Sequence, residues 1–65
     1  MIEGIVKTWD NLKGWGFVTD EESGNDYFMH ISKIRKGPTI KKGSQVKFDI
    51  EQGPKGPQAK NITLY

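Results

Sequence analysis

The chain has 65 residues, a net charge of +2 at pH 7, one histidine and no cysteine. Folding at this length buries only roughly 60% of the unfolded surface, so we expect one domain over residues 1–65 with no room for an internal catalytic cleft. The composition excludes disulfides, thiolate metal sites and histidine-cluster metal sites. The mild positive charge permits an anionic partner without requiring one. We therefore predict a protein without metal or cofactor.

The N-terminus and the hydrophobic pattern carry no targeting signal. Residues 1–4 lack the basic leader and apolar centre of a signal peptide, and no apolar run approaches the length of a membrane span. The absence of cysteine fits a reducing compartment. We expect a soluble, cytoplasmic monomer with neither a membrane nor a small-molecule substrate as its partner.

Glycine and proline interrupt the sequence at short intervals, which is typical of short strands joined by turns. In chain order, the predicted strands cover residues 2–10, 15–19, 26–31, 45–51 and 58–64. Residues 25–36 also fit a helix, because Phe28, Ile31 and Ile34 have helical spacing. We favour a strand that ends at about His30, followed by a short helical turn over 32–35, because the run 27–29 of Tyr-Phe-Met is typical of β structure. Five strands in this length favour an all-β fold, a small closed barrel.

Side-chain alternation groups several aromatic residues on one face of the second and third strands. The opposite face suits a core. The predicted core residues are Val6, Val18, Tyr27, Met29, Val46, Phe48, Ile50 and Ile62. The reverse register would bury a histidine and two glycine gaps in a very small core. We therefore predict that four rings face solvent. They are Trp15, Phe17, Phe28 and His30.

Large rings exposed on a small sheet need a physical reason, and nucleic acid supplies one. Stacking a base on an aromatic ring contributes about 1–3 kcal/mol and tolerates any base. Nearby lysines suit the phosphates. They are Lys7, Lys13, Lys33 and Lys55. We also expect Gly14 and Gly16 to leave space beside the rings for an approaching strand of bases.

Two motifs in the same region resemble those of the bacterial cold-shock proteins. Residues 13–18, Lys-Gly-Trp-Gly-Phe-Val, are similar to the first ribonucleoprotein motif of that family, and residues 26–30, Asp-Tyr-Phe-Met-His, to the second. Residues 1–7 and 56–63 extend the resemblance over essentially the whole chain. The resemblance implies a five-stranded antiparallel OB-fold β-barrel. It also implies binding of single-stranded RNA and DNA, RNA-chaperone activity and regulation of transcription or translation.

The resemblance also implies roles for individual residues. The base-stacking positions are Trp15, Phe17, Phe28 and His30. The contacts to the nucleic-acid backbone or to base edges are Lys7 and Lys13. The candidates for polar contacts to bases or phosphates are Asp26, Lys55 and Gln58. Trp9 is a further candidate, and two placements stay open for its indole: within the ring surface or at its edge.

The chain departs from the family pattern at three places. The family usually has Trp-Phe after the first-strand lysine, where this chain has Thr8 and Trp9. Ile31 stands where many members have phenylalanine. The loop 35–39, with Gly37 and Pro38, lacks the aromatic residue that many members carry there. We therefore predict weaker binding, or a shorter binding site, than in typical members.

A protein-interaction barrel that binds a peptide on its aromatic face is the second interpretation. Such grooves usually carry acidic neighbours, whereas Lys7 and Lys13 flank this one. An enzyme is the least favoured interpretation, because His30 has no nucleophile or carboxylate at motif spacing and no phosphate loop is present. The basic stretch between Lys33 and Lys42 is interpreted as favouring solubility and attracting phosphate.

Overall fold

The computed structural model describes residues 1–35 and 39–64. Within them the strands are β1 (Ile2–Asp10), β2 (Trp15–Asp20), β3 (Asp26–His30), β4 (Gln45–Gly53) and β5 (Gly56–Leu64). All of the predicted strands are confirmed, with ends that differ by at most two residues. The predicted helical turn is a 3₁₀ turn over Ile31–Lys33, one residue earlier than expected at its start. No helix in the described part of the chain is long and apolar enough to cross a membrane.

The strands close into a barrel in the order β1-β2-β3-β5-β4, which confirms the predicted architecture. Every pairing is antiparallel except the one between β3 and β5, which is parallel at Phe28 and Gln58. An isolated parallel bridge between Ile34 and Ile62 extends this contact. A closed ring with an odd number of strands cannot alternate direction all the way round, so one parallel pairing is unavoidable.

The core fills the interior of this barrel. The buried hydrophobic residues are Val6, Val18, Met29, Ile40, Val46, Phe48, Ala59 and Ile62. Six of these were predicted, while Tyr27 and Ile50 are half-buried and pack against the cluster from its margin. Ile40 was missed because it lies outside the strands, and Ala59 because a single methyl group gives little hydrophobic signal.

A β-bulge in β1 sets the direction of the side chains in the second half of that strand. The pairing with β2 is regular up to Val6 and resumes with Thr8 opposite Phe17, so one extra residue is accommodated between them. Lys7 and Thr8 are both exposed as a result, and Trp9 packs against the core. Strict alternation would have placed Trp9 on the same face as Lys7.

Gly16 is required by the close approach of β1. A Cβ atom at position 16 would overlap the carbonyl oxygen of Thr8 and lie 2.9 Å from the Cα of Trp9. The prediction that Gly16 leaves space for bases is therefore wrong, because its missing side chain points at β1. Gly14 is required by its backbone, which has a φ of 76° in the turn between β1 and β2.

Candidate nucleic-acid interface

Four rings share the outer face of β2 and β3, and we call Trp15, Phe17, Phe28 and His30 the ring surface. The register of the two strands places Trp15 opposite His30 and Phe17 opposite Phe28. Trp15 and Phe17 are each 37% exposed, while Phe28 is half-buried and His30 is exposed. The predicted outward orientation of these rings is confirmed, because the intervening residues of both strands point into the barrel.

The ring surface is a continuous cluster. The Trp15 ring centroid lies 6.0 Å from both Phe17 and Phe28, and the Phe28 centroid lies 6.5 Å from His30. The planes of Trp15 and Phe28 differ by 33° and those of Phe28 and His30 by 35°. Phe17 stands nearly perpendicular to Trp15, at 86°. Phe28 is thus tilted by about the same angle to Trp15 and to His30, and Phe17 contacts Trp15 and Phe28 edge-on.

A groove of about 750 Å³ runs over the ring surface. Its lining residues are Trp15, Phe17, Asp26, Phe28, Lys55 and Pro57. A second groove, of about 290 Å³, adjoins it. The lining residues of the second groove are Phe28, His30, Ser32, Lys33, Pro54, Lys55 and Gln58. The turn between β4 and β5 forms one wall of both grooves, which brings Lys55 to the rings from a distant part of the sequence.

Asp26 and Lys7 form a salt bridge at the border of the ring surface. The Lys7 Nζ donates to Asp26 Oδ2 at 2.7 Å, and the Thr19 hydroxyl donates to Asp26 Oδ1 at 2.7 Å. The hydrogen bond from Lys7, followed by that from Thr19, holds the pKa of Asp26 below its ordinary value. Asp26 is therefore a carboxylate at neutral pH, and Lys7 has an internal partner.

Gln58 and Lys33 meet at the carboxylate of Glu51. The Gln58 Nε2 donates to Glu51 Oε2 at 2.8 Å, and the Lys33 Nζ lies 3.0 Å from the same oxygen. The hydrogen bond from Gln58, followed by that from Lys33, lowers the pKa of Glu51. Sequence reasoning missed Glu51 at the site, although its register opposite Gln58 follows from the hairpin of β4 and β5.

The orientation of the His30 ring is fixed by the start of the 3₁₀ turn. His30 is the N-cap residue, and its Nδ1 accepts a hydrogen bond from the Ser32 backbone N–H at 3.1 Å. The Ser32 hydroxyl oxygen also lies 2.9 Å from the same nitrogen, so both contacts hold the ring at the start of the turn. No group of His, Asp or Glu residues in the described part of the chain is arranged to hold a metal ion.

Lys13 is presented by a firmly bonded turn between β1 and β2. The Asp10 Oδ1 accepts from the backbone N–H groups of Leu12 at 3.0 Å and Lys13 at 2.9 Å. The Gly14 N–H donates to the Asp10 carbonyl at 2.8 Å. Lys13 is exposed and lies two residues before Trp15 in the sequence.

Trp9 is the predicted site residue that the structure places differently. Its ring packs against the core, and its buried Nε1 has no hydrogen-bond partner among the described residues. The placement of Trp9 within the ring surface is therefore wrong, and the cause is the bulge that precedes it. Thr8, opposite Phe17, is exposed instead.

The other two departures from the family pattern lie beyond His30. Ile31 is 52% exposed, so an aliphatic side chain is presented at the position where many members have a ring. The loop that lacks the family's aromatic residue contains Gly37 and Pro38, which lie outside the described residues.

Comparison with known proteins identifies the family. The profile of the "Cold-shock" DNA-binding domain family matches residues 2–65. The cold shock protein of Arthrobacter globiformis is 44% identical over 66 residues, covering 98% of each chain. The cold shock protein CspV of Vibrio cholerae is 44% identical over 91% of this chain and 87% of its own length.

A solved structure shows the same fold. The structure of drosophila Unr CSD456 superposes with a TM-score of 0.81 over 98% of this chain and 26% of that chain, at 22% identity. At that identity the likeness concerns the fold, while the sequence matches above establish the relationship. The chain belongs to the cold-shock domain family, whose members generally bind nucleic acids.

Proposed function

We propose that this chain binds single-stranded RNA and DNA by stacking unpaired bases on the ring surface. The observation that carries the proposal is the cluster of four rings, with neighbouring centroids 6.0–6.5 Å apart, on an outward sheet face. Burial would stabilise such rings by removing apolar area from water. Their exposure makes sense when a ligand supplies the missing contact area.

The same geometry favours single strands over duplexes. Bases in a duplex are already paired and stacked on one another, so their faces are not free to meet the rings. Unpaired bases held on the ring surface are withdrawn from competing hairpins. This gives an RNA-chaperone role that requires neither ATP nor catalysis, and with it an influence on transcription or translation.

Charged residues around the rings would hold the phosphates. Lys13 lies in the turn between β1 and β2, and Lys55, in the turn between β4 and β5, lines the groove over the ring surface. Lys7 would take part by exchanging its bond to Asp26 for a phosphate, and Gln58 by exchanging its bond to Glu51 for a base edge. Binding should therefore weaken as salt concentration rises.

The closed barrel supports a monomer as the working unit, because each of the five described strands has a neighbour on both sides. The cysteine-free composition suits the reducing cytoplasm.

The test is fluorescence titration with oligothymidine, with the same strand in a blunt duplex, and with a proline-rich peptide. We expect tight binding of the single strand alone and a large loss in the double variant Phe17→Ala with Phe28→Ala. Leu12→Ala is the matched control, because Leu12 is an apolar residue 98% exposed that lies outside both grooves. Preferential binding of the duplex or the peptide, or full affinity in the double variant, would refute the proposal.

A further inference from the structure

A third, basic groove lies beyond the ring surface, on the side of the 3₁₀ turn. It has a volume of about 190 Å³. The lining residues are Ser32, Lys33, Ile34, Arg35, Lys60 and Asn61. Half of these are cations, and the backbone N–H of Arg35 donates to the Ile62 carbonyl at 2.8 Å. That bond fixes Arg35 against β5, the strand that carries Lys60.

The three grooves form one path. Phe28 and Lys55 line both the groove over the ring surface and the second groove. Lys33 lines both the second groove and the basic groove. A chain that leaves the rings past His30 therefore meets the basic groove next.

The charges of the basic groove are only partly neutralised within the molecule. Glu51 is bonded to Lys33, and Asp49 accepts from the Asn61 Nδ2 at 3.3 Å. Neither Arg35 nor Lys60 forms a side-chain salt bridge with another described residue. These two cations are therefore available to an anion from outside, although Lys60 lies within electrostatic range of Glu51.

The turn end of the β2–β3 hairpin is acidic, whereas the basic groove lies past its open end. The hairpin turn lies beyond the pair Thr19–Asp26, whereas the pair Trp15–His30 marks the open end. A polar cavity at the turn end is lined by Met1, Ile2, Glu3, Asp20, Glu21 and Glu22. A polyanion lying on the ring surface is thus repelled at the hairpin turn and attracted at the open end.

We propose that a bound single strand continues past His30 into the basic groove, where its phosphates contact Arg35 and Lys60. This inference rests on the proposed function and adds a phosphate-binding extension to the ring surface. The extension is electrostatic and independent of base identity. It supplies affinity on the side where Ile31 replaces a stacking ring.

The test compares the wild-type protein with the double variant Arg35→Gln with Lys60→Gln. Oligothymidines of about 4, 6, 8 and 12 nucleotides, within the usual range of site sizes for such barrels, are titrated at several salt concentrations. Lys41→Gln with Lys42→Gln is the control. It removes the same number of charges from exposed lysines of the basic stretch 33–42 that line none of the three grooves, so it separates contacts within the groove from the general electrostatic attraction of that stretch.

We expect the loss of affinity in the Arg35 and Lys60 variant to grow with strand length. On the longest strand, the plot of log affinity against log salt concentration should be shallower for this variant than for the wild type, by about 1.4 in slope. Each lost phosphate contact accounts for about 0.7 of that difference on a single strand. The wild type should thus lose about sevenfold more affinity than the variant between 50 and 200 mM salt. The control variant should keep the length dependence of the wild type.

Two results would overturn the extension. One is a loss of affinity in the Arg35 and Lys60 variant that is the same at every strand length. The other is a loss of affinity in the control variant that equals the loss in the Arg35 and Lys60 variant. Either result leaves short strands binding to the rings, so the proposed function survives. If the wild-type protein binds no oligothymidine of any length, the proposed function itself fails, and the extension fails with it.

Discussion

Gly16 lies opposite Trp9 in the pairing of β1 with β2, and the backbone of β1 comes so close that position 16 has no room for a Cβ atom. This contact forms where the bulge at Lys7 and Thr8 brings a carbonyl group towards β2. The same bulge turns Trp9 into the core, so the packing under the ring surface depends on one residue without a side chain.

The first prediction concerns this contact. Gly16→Ala should reduce the free energy of unfolding by at least about 2 kcal/mol, because the new methyl group meets backbone atoms that cannot rotate away. Urea denaturation measures the change. Gly24→Ala is the control, since nothing lies within 4 Å of its added methyl group and only the strain of its positive φ should appear, about 1 kcal/mol. Equal losses in the two variants would contradict the prediction.

The second prediction separates the two tryptophans. Trp9→Phe removes a buried N–H without a partner among the described residues but leaves a small cavity. The two effects oppose each other, and stability should change by no more than about 1 kcal/mol. Oligothymidine affinity should not change, and Trp15 alone should still report binding by fluorescence quenching.

Trp15→Ala is the matching variant on the ring surface. It should lower affinity about fivefold to a hundredfold, in line with the loss of one stacked base, while the folded protein remains intact by circular dichroism. A larger loss of affinity in Trp9→Phe than in Trp15→Ala would show that the rings are assigned to the wrong faces.

The third prediction restores a ring. Thr8 is exposed opposite Phe17, so Thr8→Trp should enlarge the ring surface and raise the affinity for oligothymidine about fivefold or more. Thr8→Leu adds apolar area without an aromatic face and should give a much smaller gain. The two variants are compared by titration at one salt concentration. Equal gains would mean that stacking is not the source of affinity at this position.

The fourth prediction concerns acid. Asp26 has a folded-state pKa below its ordinary value, chiefly because of Lys7, so its bonds stabilise the fold above the unfolded-state pKa, near 4. That contribution is lost as the pH falls through the folded-state pKa. Asp26→Asn should therefore be less stable than the wild type at pH 7, and the difference should shrink towards pH 2.

Urea midpoints measured across this pH range provide the check on Asp26. Glu21→Gln, in the exposed loop after β2, should follow the wild-type curve throughout. The difference in stability between Asp26→Asn and the wild type could instead stay constant down to pH 2. That result would show that the bonds of the ionised carboxylate do not cause the difference.

Much of the fold was accessible from the sequence, because strand alternation and glycine spacing are local signals. The outward orientation of the rings followed from the same alternation. The orientation of Trp9 did not, because a bulge depends on how two strands pair. The salt bridge between Lys33 and Glu51 was not predicted for a related reason: it requires the closure of β5 against β3, which no local pattern encodes.

The parallel closure of the barrel lies directly beneath the ring surface. β3 and β5 are joined at one register pair, Phe28 with Gln58, and this narrow seam runs beneath the grooves that Lys55 and Phe28 share. Under the proposed function, a strand of nucleic acid lying there would touch both sides of the seam. A ligand that binds only the closed barrel stabilises it by mass action, so bound nucleic acid would hold together the two strands that share the fewest backbone pairs.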